Sequence, residues 1–350
     1  MTITQWSATV GGNNVPNIQS VSIRQGQRKI TDQFQSASLT VSGRLPGSLP
    51  TINLGDVISV TQTFNSLGRT YSFRVSDYSV EYGLNSAYDS YTIYGEDAFA
   101  VLGRAEIDIS WSSGTLAKDN AEDVCDLVGV TFSVGTSLPS TTTCNAQTIT
   151  NGNALDVLNV LANTEGARLS ATATFIQWLP RNWQSVMPTV HASDDGTGTN
   201  PVKYDSLSFA SLADNLADQV TVNIRGGSAV TVGSGPYAFS LDSYSVSSNE
   251  GQDVAAFELA SLDVDSPVPT QISYILNQQT NNGWQDWDNY KKAVIKFRNT
   301  TYNVFVIGVT YSANVSETRV TWDLVSSEFY RFLVLDDAVL GKLDENKLGW

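Results

Sequence analysis

Two stretches near opposite ends of the chain carry apolar side chains at every second residue. The first runs through Val57–Phe64, Tyr71–Tyr82 and Tyr91–Phe99, and the second through Ala293–Phe297, Tyr302–Ala313 and Arg319–Phe329. Period two places alternate side chains on one face of a pleated strand, so both stretches predict a short strand, a long strand and a closing strand. Asn, Gly, Ser and Asp mark the turns at residues 65–68, 83–89 and 298–300. Laid over each other, Tyr71, Phe73, Val75 and Val80 fall on Tyr302, Val304, Val306 and Tyr311. Ile93 lies near Trp322, with one residue of slippage in the last strand. A repeat this far apart is no solenoid period and predicts two copies of one β-domain separated by inserted material. The strand ending at Gly43 and the one at Thr270–Leu276 are candidate further members of each copy.

Between the copies the period changes. Leu116–Gly129 predicts a helix capped by Thr115 and stopped by Gly129, and Ala154–Ala167 predicts a second, with Leu155, Leu158, Leu161 and Ala162 on one stripe and Gly166 near its end. Strands at 167–174 and 175–180 complete a small α+β unit. Beyond it, 218–227 and 236–248 predict strands with turns, and 254–262 a short helix. The loop 191–201, rich in Gly, Asp, Thr and Asn, is the candidate linker. The expected fold class is mainly β with an α+β insertion: two β-barrel or sandwich domains related by internal duplication, at 1–102 and 196–332, an inserted α+β domain at 103–195, and a tail at 333–350 expected to dock.

Charge narrows the partners. With 35 acidic against 20 basic residues the 350-residue chain has a net charge of −15, the opposite of a surface that wraps nucleic acid. It suits a wall that nucleic acid passes without sticking, or ordinary acidic solubility. No run of 18 apolar residues and no basic-then-apolar start occurs, so neither a signal peptide nor membrane insertion is expected. Two cysteines, Cys125 and Cys144, fit no zinc spacing and are expected to be free in a chain made in a reducing cytoplasm.

Candidate chemistry is sparse. His191 is the only histidine and lies in the Gly/Asp loop, a poor base for a nucleophile triad. Asp194, Asp195, Asp263, Asp265, Asp286 and Asp288 could supply paired carboxylates, but nothing in the sequence sets two across a cleft. No phosphate-loop, dinucleotide, nucleophile-elbow or zinc-protease motif occurs. The segments 191–200 and 286–288 offer oxygen ligands without EF-hand spacing. The expectation is no enzyme, no cofactor and no metal. Among the eight tryptophans, Trp284 and Trp287 stand with Tyr290 in an Asn/Gln/Asp-rich stretch. That composition suits a sugar site, or a loop whose aromatics anchor it to the core or to a neighbouring subunit; the anchor is preferred.

The order of these elements resembles the hub, or minor tail, proteins at the tail tip or baseplate of bacterial viruses. The C-terminal run 332–350 adds to it, with Leu335, Asp336, Asp337, Gly341, Leu343, Asp344, Asn346, Leu348 and Gly349 in a pattern similar to the ending of many such proteins. The resemblance implies β-domains with the tail-tube fold. It also implies a homotrimer whose six tube-like faces adapt a six-fold tail tube to a three-fold tip, within a virion assembled in the host cytoplasm. The implied partners are further copies of the chain, the tail tube or distal tail protein, a spike or fibre protein, the tape-measure protein, and DNA passing through the lumen. A tail-associated receptor-binding module for carbohydrate is the second expectation. The candidate assembly residues are Leu335, Leu340, Leu343, Leu348 and Trp350 in the tail, and Trp284, Trp287 and Tyr290.

Overall fold

The computed structural model describes residues 5–29, 32–45, 49–135, 140–181, 189–210, 217–262 and 268–326, with two short C-terminal strands at 332–333 and 347–348. The chain is mainly β. The main sheet draws on β1 (Gln5–Val10), β2 (Ile18–Gly26), β3 (Ser38–Arg44), β4 (Val57–Phe64), β5 (Leu67–Glu81) and β6 (Ser90–Glu96). From the C-terminal part come β7 (Thr189–Ser193), β8 (Ser206–Ala210), β9 (Val268–Ile275), β10 (Lys292–Phe297), β11 (Thr300–Asn314) and β12 (Thr318–Ser326).

Strand order makes the duplication explicit. The first half runs β2-β3-β6-β5-β4-β1 and the second β8-β9-β12-β11-β10-β7. In both halves the long strand carries a bulge at the same aligned place: the β5–β6 register shifts between Val75 and Asp77, and the β11–β12 register between Val306 and Gly308. The hairpins preceding the bulges turn on two residues with positive φ, Asn65 and Ser66 in one and Arg298 and Asn299 in the other, the requirement of a type I′ turn. Ile93, opposite Tyr78, matches Trp322, opposite Val309, which removes the one-residue slip expected from sequence. The strand ending near Gly43 matches Thr270–Leu276, since β3 pairs β6 as β9 pairs β12. One asymmetry remains: β1 runs antiparallel to β4, whereas β7 runs parallel to β10.

The halves join edge to edge, β2 beside β11, and share one hydrophobic core. Leu39, Val41, Ile58, Val60, Phe73 and Ile93 fill it from the first half, and Ile272, Ile295, Val306 and Trp322 from the second. Each such side chain contributes about 1.5–3 kcal/mol by leaving water. Although β1 packs back toward β2, no ladder closes between them among the described residues, so the β unit is a curled open sheet and not a closed barrel.

A second core lies under the helices α1 (Ala98–Arg104), α2 (Ala117–Val128), α3 (Ala154–Glu165) and α4 (Ser248–Leu262). Gly129 and Gly166 stop α2 and α3 in the left-handed conformation. Asn153 caps α3 by accepting from the N–H groups of Leu155 and Asp156. Thr115 is no cap: it pairs with Cys144 as a strand residue, Leu116 takes the cap position, and no side chain bonds there. The expected helix at 254–262 begins earlier, at Ser248. Two segments sit elsewhere than the sequence-based divisions place them. Thr189–Ser193 pairs with β10 in the main sheet, and Gln219–Ile224 with its two partner strands packs under α4 in the helical core.

Candidate assembly interface

Among the described residues the two halves of the chain meet at a seam of paired strands. Ser20–Gly26 of β2 pairs antiparallel with Gly308–Asn314 of β11. Gly26, at φ +78°, stands opposite Gly308; a Cβ on Gly26 would lie 2.3 Å from the Ile307 carbonyl, and one on Gly308 would lie 2.3 Å from that of Gln27. Across the seam Arg24 pairs with Asp323 and donates to Thr310 Oγ1 at 3.4 Å. Gln271 Nε2 donates to the other oxygen of Asp323 at 3.1 Å. The rings of Tyr71 and Tyr311 lie 5.0 Å apart, and Trp6 Nε1 donates to Thr318 Oγ1 at 3.0 Å. Burial pushes the hydroxyls of Tyr71, Tyr274 and Tyr311 above their usual range, so this cluster remains uncharged.

The aromatic loop expected to anchor to the core or to a neighbouring subunit is turned inward. Trp284, Trp287 and Tyr290 are 3 %, 0 % and 1 % exposed. Trp284 packs edge-on to Phe64, Trp287 packs on Trp322, and Tyr290 donates from its hydroxyl to the Leu169 carbonyl at 3.0 Å. Arg69 of the first half pairs with Asp288 at 2.8 Å and donates to the Trp287 carbonyl, which fastens the loop across the halves. No ring face of these three is open to a sugar or a second subunit. Leu335, Leu340, Leu343 and Trp350 lie outside the described residues. Leu348 belongs to a two-residue strand, Lys347–Leu348, parallel to Phe332–Leu333.

The candidate chemical groups do not converge. His191 is a strand residue of β7 beside Val294. Asp194 accepts from the Arg298 N–H at 3.1 Å. Hydrogen bonds from Ser193 and Thr197, and from Lys296 Nζ at 3.1 Å, hold the Asp195 carboxylate well below its ordinary range. The 191–201 segment is thereby stapled to β10. Asp263 and Asp265 lie outside the described residues. No group of three or more metal-ligating side chains occurs among the described residues. Cys125 and Cys144 are free and buried, and burial pushes both thiols up to about 12.

A cavity of about 510 Å³ lies where the β unit meets the helical unit, lined in part by Gln27, Arg69, Asp97, Phe175 and Tyr290. Its charges are engaged. Arg69 holds Asp288, and Asp97 accepts from the Ala37 N–H at 3.0 Å and the Phe99 N–H at 3.1 Å. The cavity lies at a seam between units, and on its lining the Tyr71 hydroxyl and the Asn289 Oδ1 are buried without a hydrogen-bond partner among the described residues.

Alternation did not reveal a surface on the first half. After the bulge, β5 and the loop beyond it expose Tyr78, Tyr82, Leu84 and Tyr88. The bulge sets Tyr78 and Tyr82 on the same face as Tyr71, Phe73 and Val75, as it sets Val309 and Ala313 in the second half, and they are exposed because no strand but β6 lies beside this segment among the described residues.

No family model and no curated protein sequence matches the chain. Solved structures do match. A tail protein from Neisseria meningitidis MC58 aligns with a TM-score of 0.68 and 12 % identity, over 93 % of this chain and 98 % of that one. The 43 kDa tail protein of prophage MuSo2 from Shewanella oneidensis gives 0.61 and 13 %, over 94 % and 99 %. The c3393 protein of E. coli, a type VI secretion component similar in structure to T4 bacteriophage tail proteins gp27 and gp5, gives 0.57 and 10 %, over 92 % and 78 %. The chain therefore has the fold of these tail proteins and of this secretion component over nearly its whole length, in agreement with the resemblance seen in its sequence.

Proposed function

We propose that this chain is a structural hub protein of a phage tail tip or baseplate. The observation that carries the reading is the duplicated half, with its strand order and bulge retained in both copies. Three subunits carrying two related halves each present six similar faces to a six-fold tube and a three-fold surface to a spike or fibre below. Two prophage or tail proteins among the fold neighbours support a place in the tail. The net charge of −15 supports an inner wall along which DNA or a tape-measure protein passes without adhering. In this reading the helical unit is built from one insertion between the halves and a second within the second half, between β8 and β9, and the tail residues Leu335, Leu340, Leu343, Leu348 and Trp350 dock on a neighbouring subunit or a further tail protein. No catalytic step, cofactor or membrane insertion is assigned to the chain.

Native mass spectrometry and class-averaged electron microscopy of the purified chain test this. The expected result is a three-subunit ring with six similar lobes. A protein that stays monomeric at high concentration and forms no ring with a cognate tube protein overturns it.

A further inference from the structure

The two halves match strand for strand, yet their outer edges are not equally covered. In the second half the segment after the bulge, Gly308–Asn314, is paired on one side by β12 and on the other by β2. Its side chains Val309, Tyr311 and Ala313 are buried. The matching segment of the first half, 77–81 of β5, is paired only by β6. On its other side the ladder to β4 ends at Arg74, and the last backbone bonds join Val75 to Gly55 and Asp56. Beyond that point no strand pairs with this edge among the described residues. Beside it stand Tyr82, Leu84 and Tyr88, exposed by 78 %, 105 % and 64 %. An open strand edge flanked by apolar side chains is a template for another strand.

The other end of the repeat shows the converse. β2 gives one edge to β3 and the other to β11, whereas its counterpart β8 pairs β9 alone among the described residues. The chain thus has one seam made, β2 on β11, and the two surfaces of a second seam unused. We infer that strand 206–210 of a second copy of this chain pairs antiparallel with the open edge of β5 at 78–83, repeating between subunits the seam that joins the halves within one.

Register follows from the copies. Val21 reaches Val41 and Ile93 across the sheet as Leu207 reaches Ile272 and Trp322, so Val21 matches Leu207 and Ser22 matches Ser208. Within the chain Ala313 faces Val21 and Ser312 faces Ser22. Transferred to the open edge, Tyr82 faces Leu207 and Glu81 faces Ser208 of the neighbour. Such a contact is head to tail, uses different surfaces on its two partners, and forms a ring when the rotation closes. The inference rests on the hub reading and names the strands that carry it.

Directly opposed cross-strand residues have Cβ atoms about 4.5–5.5 Å apart, within reach of a short thiol cross-linker. Glu81→Cys and Ser208→Cys, made as separate single variants with different tags, are mixed, assembled and treated with a short bis-maleimide. Both native cysteines are buried and do not compete. The expected result is a mixed-tag cross-link in the mixture and none in either variant alone. The second measurement uses the unaltered protein: amide exchange at 78–82 is expected to slow about tenfold or more on assembly, since a frayed edge becomes ladder. A ring that forms with no mixed cross-link and no protection at 78–82 overturns this pairing and leaves the hub reading standing. Failure of the unaltered chain to associate overturns both.

Discussion

Asp97 stands ahead of α1 with its carboxylate accepting from Ala37 and Phe99, a cap that also ties the loop before β3 to the helix. Burial outweighs those hydrogen bonds and raises its pKa to about 7. A carboxyl raised in the folded state favours folding fully below its unfolded pKa, about 3.9, and that contribution is lost as pH rises through about 7. At about 1.4 kcal/mol per pH unit the loss is on the order of a few kcal/mol. Asp97→Asn retains an oxygen for the cap and does not ionise, so its stability relative to wild type should rise steadily from pH 4 to pH 8. Urea unfolding at several pH values checks this; a constant difference between the two proteins contradicts it. Residues such as Gly129 and Gly166 were legible in the sequence because their roles are local. Thr115 misled because its partner, Cys144, is distant in the chain and brought to it by pairing. For Trp284 and Trp287 the sequence left both exposure and anchoring open, and only tertiary packing on Phe64 and Trp322 decides.

At the scale of elements the bulge governs what could be foreseen. Tyr71, Phe73 and Val75 are odd-numbered, then Tyr78, Val80 and Tyr82 are even; in the second copy Val304 and Val306 give way to Val309 and Tyr311. That change of parity is the sequence mark of one extra residue in the ladder, and it occurs at matching places. Plain alternation carried past Val75 would set Tyr78 and Tyr82 on the opposite face from Tyr71, Phe73 and Val75; the extra residue returns them to it. The seam between β2 and β11 left a fainter trace, because two opposed glycines become meaningful only once the strands lie side by side. Gly308→Ala should cost about 1–3 kcal/mol, since its added carbon meets the Gln27 backbone, which has no free rotamer with which to yield. Chemical unfolding measures it, and a cost below a few tenths of a kcal/mol would show that the seam adjusts freely.

For the molecule as a whole, the duplication and the β-rich class were legible from two alternating stretches 231 residues out of register, the offset from Tyr71 to Tyr302 (302 − 71 = 231). Sharing of one core by both halves was not, because no local pattern reports which distant faces meet. Nor was the return of Gln219–Ile224 to the helical core, since a short apolar strand carries no address. The two thiols extend this to the chain's chemical surroundings. Cys125 and Cys144 are the only cysteines, and neither has measurable solvent exposure. Ellman's reagent should therefore find fewer than one reacting thiol per native chain and both in denaturant; two fast-reacting thiols in the native protein would contradict their burial. A chain so arranged shields both of its thiols, so its sulfur chemistry stays the same in reducing and in oxidising surroundings.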